Sequence, residues 1–427
     1  MTTQPVFSFA STTPTGTVDA LWPVLNTQFQ GTSGGVVWPT AGTFANFLVV
    51  IDAAPGTSNS RTFTFTNITT AATVTVTIND AEVSDRNIIN TLSVSAGDQL
   101  KVSHASTGSP SAITECYLLA EFTGTVDGES GYTCAHAAGN GALTGTGGPY
   151  YVHGPFTGVT WTTTTPPVNE DLIAVEGNVT SMTCHATTAP GVGNSWTFWL
   201  VKNGVLQDGA GGTVNTLVTV TNTTPPTATS TFTLPVSPGD RLSLKLDGVS
   251  DPANTRPQAG ITITADTDGE CQLNCRQTTG SSSSAVNYGW AIYNSTTGWS
   301  ATETARDQPT FISTFGLGAM YVRLQTAPGA GNSYLYDMRL DAGSPSGALS
   351  VLISDAATTG NDVSGSLVLE DGHLWDIRST PTSSPAGAGA AFAWAIAAPT
   401  VVTGMPFAPF IGTIINSGGG SFGPFTG

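Results

Sequence analysis

The chain has 427 residues with 12 basic against 29 acidic side chains, a formal charge of −17; charged residues are only 10% of it, while glycine fills 50 positions, proline 26 and threonine 69. This composition excludes a long helical or coiled-coil protein, which needs Ala, Glu, Lys, Leu and Arg in bulk. It also excludes phosphate-mediated nucleic-acid binding, which needs clustered Lys and Arg, and disorder, since 39% of the residues are hydrophobic and nine Trp and eighteen Phe are spread along the chain.

The opening MTTQPVFSFASTTPTG has neither the basic stretch nor the apolar core of a secretory leader. No apolar run reaches the roughly 18 residues of a membrane-spanning helix. A strand-like stretch, Phe47-Leu48-Val49-Val50-Ile51, then enters the turn string Ala54-Pro55-Gly56-Thr57-Ser58-Asn59-Ser60, and the alternating RTFTFT follows. Further on come VSAGDQLKV (Val94 to Val102) and SPSAITECYLLAEF, led by Pro110. Pro pre-sets φ in such turns and Gly takes positive φ at little cost.

The same three anchors return twice. Ala189-Pro190-Gly191-Val192-Gly193-Asn194-Ser195 precedes WTFWLVKNG, and Ala327-Pro328-Gly329-Ala330-Gly331-Asn332-Ser333 precedes YLYDMRLD. The Gly-Asp anchor recurs as VSPGDRLSL and, more loosely, LEDGHLWDI, with Gly97, Gly239 and Gly372 at intervals of 142 and 133 residues. The third anchor recurs as RPQAGITITADTD, led by Pro257, and SPAGAGAAFAWAI, led by Pro385. A unit of about 135 residues is the size of a complete domain rather than a solenoid repeat. Boundaries are expected near 127 and 269, where VDGESGYT and TDGECQLN interrupt the pattern, and GSSSSA (Gly280 to Ala285) reads as a flexible loop or linker.

Within the second unit, period-two alternation between Gly/Pro/Asn/Asp clusters predicts strands near 149–153, 157–164, 170–175, 178–187, 195–203, 214–221, 228–236, 240–247 and 258–266. That number of strands suits a jelly roll better than a seven-strand immunoglobulin sandwich. The expected fold is therefore all-β: three tandem jelly-roll-like antiparallel β-sandwich domains, 1–126, 127–268 and 269–400, plus an apolar C-terminal arm, 401–427. The arm has no charge and contains Phe407, Phe410, Ile411, Ile414, Ile415, Phe422 and Phe425. It is broken by Gly and Pro too often to be a membrane helix and too apolar for a solvated tail. It reads as an interface segment that packs on a neighbouring subunit, with strand addition one route; folding back on its own domain is the alternative.

Chemistry is sparse. There are five histidines, His104, His136, His153, His185 and His373, and no HExxH, GxSxG, Walker or Rossmann pattern. Cys134-x-His136 and Cys184-His185 offer four soft ligands, but neighbours on a strand point to opposite faces, so Cys184 and His185 cannot meet one metal without a bulge. No catalytic residue, metal site or cofactor is expected. Cysteines number five, an odd count against a disulfide framework, and only Cys271-x-x-x-Cys275 suggests a local bridge. In WTFWL, Trp196 and Trp199 fall on opposite faces of a strand, while Tyr334 and Tyr336 share one. Core packing, a subunit interface or sugar stacking are the roles open to them. Trp161 and Trp299 each stand 28 residues before the alanine of their turn string, an offset that marks a position in the fold.

The string A-P-G-x-x-N-S followed by aromatic-x-aromatic, as in APGVGNSWTFWLVKNG, resembles a module of tailed-bacteriophage virion proteins, in which β-sandwich domains are strung in tandem in head fibres, tail fibres and capsid decorations. The resemblance covers roughly 42–124, 170–266 and 311–398; the first unit departs with Thr57-Ser58 before Asn59, and the third has Gly372-His373 in place of Gly-Asp. Pro55, Gly56, Pro190, Gly191, Pro328 and Gly329 would be structural turn residues. What the resemblance implies is a non-enzymatic structural protein of the virion surface, made in the host cytoplasm. Its partners would be itself, as a dimer or trimer, and other virion proteins, with no nucleic acid and no membrane. The alternative is a carbohydrate-binding adhesin for host surface glycans. A polysaccharide-degrading spike, a third reading, would need paired carboxylates.

Overall fold

Alternating Thr, Val and Phe favour pleated strands with one buried face. The computed structural model of the chain is built of sheets that are antiparallel but for the parallel pairing of Asn294–Ser295 with Cys271–Gln277, and has no α-helix among the residues it describes. Those residues are 3–10, 18–23, 35–135, 142–152, 154, 161, 163, 170–221, 226–277, 280–291, 294–295, 299–303, 306–309, 313–341, 349–397, 414–415 and 421–422.

Three successive stretches each form two facing sheets. In the first, one sheet runs Thr3–Ala10, Cys116–Gly124, Gly42–Ile51 and Ser84–Asn87, with Leu92–Val94 also on Gly42–Ile51. The other runs Val18–Leu21, Gln99–Thr107, Ser60–Asn67 and Ala72–Asn79. Counted along the chain, the eight principal strands pair in the orders 1-8-3-6 and 2-7-4-5, the two interleaved Greek keys of a jelly roll. The second unit repeats this with Glu129–Ala135, Pro257–Ala265, Gly177–Ala186 and Thr227–Val236 facing Tyr150–Val152, Arg241–Val249, Ser195–Lys202 and Val218–Thr221. The third repeats it with Cys271–Gln277, Ala390–Ala397, Phe315–Leu324 and Thr359–Asp362 (plus Leu367–Leu369) facing Asn287–Gly289, Leu374–Thr382, Gly329–Leu340 and Ser350–Asp355. The protein is thus three tandem jelly rolls.

The repeated turns have one geometry. Gly56, Gly191 and Gly329 sit at φ of 91°, 99° and 94°, a region that favours glycine. The carbonyls of Pro55, Pro190 and Pro328 accept from the N–H groups of Ser111, Ala253 and Ala386 at 3.1, 2.9 and 3.0 Å, tying each turn to the loop before the last strand. This corrects the third anchor: the counterpart of Pro110 and Pro385 is Pro252, not Pro257. Pro252 stands 142 residues after Pro110 and 133 before Pro385, the same intervals as the Gly-Asp glycines. In those Gly-Asp turns Asp98 accepts from Ser95 N–H (2.8 Å), Asp240 from Ser237 N–H (2.9 Å), and His373 Nδ1 takes over the role from Glu370 N–H (3.2 Å).

Several expected elements differ. Only Asp171–Leu172 and Val218–Thr221 form from 170–175 and 214–221. Most of 157–164 lies outside the described residues, and Trp161 and Thr163 are not in strands. The positions 127 and 269 fall in equivalent turns, Asp127-Gly128 and Asp268-Gly269, each between the closing strand of one sandwich and the opening strand of the next. The segment 280–285 is no linker: the Ser281 carbonyl accepts from the Tyr334 hydroxyl (3.4 Å) inside the third sandwich. In the arm, Ile414–Ile415 pairs with Ser421–Phe422. Phe407, Phe410, Ile411 and Phe425 lie outside the described residues, as do the side chains of Ile414, Ile415 and Phe422.

Candidate functional site

The three sandwiches meet along three seams, the first two built from the same positions. Ahead of its third principal strand each unit has a short segment: Val36–Val37, Asp171–Leu172 or Gln308–Pro309. Local bonds fix the first two alike, since Trp38 N–H donates to Asp98 O and Ile173 N–H to Asp240 O, both at 2.8 Å.

At the first seam this segment crosses the opening and closing strands of the second unit. Val37 N–H donates to Gln258 Oε1 (3.1 Å), Gln258 Nε2 to the Gly35 carbonyl (2.6 Å), and Thr133 Oγ1 to the Val37 carbonyl (3.0 Å). At the second seam Ala174 N–H donates to Gln272 Oε1 (2.8 Å) and Asn274 Nδ2 to the Leu172 carbonyl (2.7 Å), while Leu172 and Ala174 pack on Ala391 and Ala393. The third seam returns to the start: Ser313 N–H and Oγ donate to the Glu121 carboxylate (2.9 and 2.8 Å), and Arg86 pairs with Asp371 at 2.7 Å. First onto second, second onto third, third onto first is a head-to-tail contact that closes into a ring, here within one chain.

The opening strands of all three units line one hollow at the centre of this ring, at Gln4–Phe7, Gly131–Thr133 and Gln272–Asn274. Gln4 bonds Gly131 in both directions, Nε2 to the carbonyl (2.8 Å) and Oε1 from the N–H (2.9 Å). The buried amides of Gln4, Gln258, Gln272 and Asn274 thus each find a backbone partner in a neighbouring unit, as buried polar groups generally do.

Charge at the seams follows burial. Gln99 Nε2 meets His185 Nδ1 (3.4 Å) at the first seam, and at the matching positions of the second, Arg241 and Arg323 converge on Glu170 (2.7 and 4.0 Å). Burial pushes His185 down to about 4 and raises the Glu121 carboxyl, although Asn46 and Ser313 hydrogen-bond it. Away from the seams, in the third unit, Asp307 and Asp376 form a buried carboxyl pair with Glu303 and Arg339 nearby; burial lifts Asp307 to about 6 and Asp376 well above the usual range.

The residues weighed for chemistry are dispersed. Among the described residues no group of three or more His, Cys, Asp or Glu is placed to hold a metal, and His136 and His153 lie outside them. All five cysteines are free and buried. Cys271 and Cys275 share one extended strand, about 13 Å apart at ~3.3 Å per residue, beyond disulfide reach, so the suggested bridge does not form. Tyr334 and Tyr336 are fully buried, their rings stacked 5.8 Å apart. Trp196 is buried, and Trp199 is half-buried with Lys245 over its ring at 4.9 Å. Trp161 and Trp299 pack on equivalent rings, Phe198 and Tyr336, at 6.1 and 5.9 Å. Sequence reasoning missed Gln4, Glu121, Gln258 and Gln272. Their signal was polar residues in the opening and closing strands TQPVFSFA, CYLLAEFTG, PQAGITITA and CQLNCRQ.

No family model and no curated protein matches the chain. Among solved structures it is similar to a chain in the cryo-EM atomic structure of broad bean stain virus, with 11% sequence identity and a TM-score of 0.18, over 66% of this chain and 92% of that one.

Proposed function

We propose that this chain is a non-enzymatic structural protein of a virus particle. By its turn motif the virus is a tailed bacteriophage, with the chain on the capsid surface or in a head or tail fibre. A fold alone names no function. The observation that carries the reading is the closed ring: three jelly rolls joined head to tail, by amide-to-backbone contacts of Gln258 and Gln272 at two seams and by Ser313 on the Glu121 carboxylate at the third. Jelly rolls in viral capsids serve the same end, shape and contact rather than turnover. Scarce charge fits this role, since Gln, Thr, Ser and backbone carry the first seam and share the others with a few charged groups, Glu121, Arg86–Asp371 and Arg241–Glu170.

Antibodies raised against the purified chain are expected to label intact particles of the virus that encodes it, at regular positions in negative-stain images. Unlabelled particles would overturn the proposal. So would strong binding to host polysaccharide on a glycan array that disappears in Trp199→Ala, which would install the adhesin reading instead.

A further inference from the structure

The sixth principal strand is the edge of its sheet in every unit, and the second unit builds that edge differently. In the first unit the edge is broken into Ser84–Asn87 and Leu92–Val94, in the third into Thr359–Asp362 and Leu367–Leu369. The breaks start at matching places, Asn87 opposite Phe47 and Asp362 opposite Met320. Asn87 Oδ1 accepts from the N–H groups of Ile89 and Asn90 (3.3 and 2.9 Å), and Asp362 Oδ1 from those of Ser364 and Gly365 (2.9 Å each). These turns insert two extra residues relative to the facing strand before pairing resumes at Leu92 and Leu367.

In the second unit the residue opposite Met182 is Ser230, a single extra residue intervenes between Thr231 and Leu234 as a β-bulge, and the strand runs unbroken over Thr227–Val236. Bulges and edge charges are the usual devices that stop further strands adding to a sheet. The first unit has both, with Asp85 and Arg86 on its edge and Arg86 held by Asp371 of the third unit. The second keeps a bulge, with Pro235 after it, but has no interrupting turn and no charge: TATSTFTLPV is uncharged, Thr229, Thr231 and Thr233 are exposed, and among the described residues it pairs with Gly177–Ala186 alone.

We propose that this edge accepts a strand from the segment 398–427 of a second copy of the chain. The ring closes on itself and uses its seam surfaces within one chain, so copies need a different contact. The segment is uncharged like the edge, and it carries the β-prone runs V-V-T at 401–403 and T-I-I-N at 413–416. Leaving from Ala397, it reaches up to roughly 100 Å when extended. Main-chain bonds along the edge supply affinity, and the alternating side chains set the register. The proposal rests on the structural-protein reading of the chain and names the link between copies.

The test uses full-length chains and light scattering. The parent is expected to give a mass that is a multiple of 43.6 kDa. Thr229→Lys with Thr231→Lys, which blocks the edge, and Ile411→Asp with Ile414→Asp, which spoils the donor, are each expected to be monomeric with unchanged melting curves. Mixed together they should pair one to one, because one copy still has a donor and the other an acceptor. A monomeric parent, an edge variant with the parent's mass, or a mixture that stays monomeric would overturn the proposal. Association that behaves as described in a chain whose antibodies leave particles unlabelled would keep this contact and drop the virion reading.

Discussion

Tyr132 and Gln272, from the opening strands of neighbouring units, exchange two hydrogen bonds at the centre of the ring: the Tyr132 hydroxyl donates to the Gln272 carbonyl (3.3 Å) and accepts from the Gln272 N–H (3.0 Å). Tyr132→Phe keeps the ring and its packing but leaves both backbone groups of Gln272 without this partner. An unsatisfied buried group costs about 1–3 kcal/mol. Denaturant unfolding of Tyr132→Phe is expected to show a loss of that size, and an unchanged midpoint would place no weight on this contact.

His185 makes the first seam sensitive to acid. Its folded value of about 4 lies below the ordinary 6.5, because burial disfavours the charged ring. The unfolded chain therefore binds the proton more readily. Stability from this residue is complete above about pH 6.5 and is lost as pH falls towards 4, by at most about 3 kcal/mol. His185→Gln is expected to flatten that part of the pH–stability curve, read as the difference from the parent between pH 4 and pH 7. Equal slopes would refute the assignment.

Asp307 and Asp376 act in the opposite direction. The folded pair holds on to protons that the unfolded chain releases, so its contribution is full below about pH 4 and declines as pH rises through about 6. At pH 7 a buried negative charge remains as a cost. Asp307→Asn is expected to raise stability at pH 7 by about 1–3 kcal/mol and to have little effect at pH 4. Thermal melts at the two pH values read this directly.

The fold was legible because its signals are local. Pro-Gly and Gly-Asp turns at fixed intervals, and alternation such as RTFTFT and STFTLPV, depend only on nearby residues, and they sufficed for three sandwiches with two facing sheets each. The opening strands escaped for a physical reason: Glu129–Ala135 is buried along nearly its whole length, so polar and apolar residues do not alternate. Gln258 and Gln272 escaped for a different reason: their partners at Gly35 and Ala174 lie far off in sequence. The shift from Pro257 to Pro252 shows the limit of matching strings. R-P-Q-A-G-I looks like S-P-A-G-A-G, but only the bond to the Pro190 carbonyl identifies the equivalent proline.

Gly260 gives the sharpest test that the seams, and not only the sandwiches, hold the chain together. It lies on the closing strand of the second unit beneath the Pro39 ring of the first, and a Cβ there would stand 2.9 Å from Pro39 Cδ. At the second seam a smaller Ala174 packs in the small apolar cluster that holds Ala393. Gly260→Val is therefore expected to push the 35–40 segment off the second unit while the strand Pro257–Ala265, where valine is favoured, stays formed. Hydrogen exchange should show faster exchange at Val37 and Trp38, with the core amides of both sandwiches unchanged. Loss of protection throughout the second sandwich would mean that Gly260 serves the sheet and not the seam.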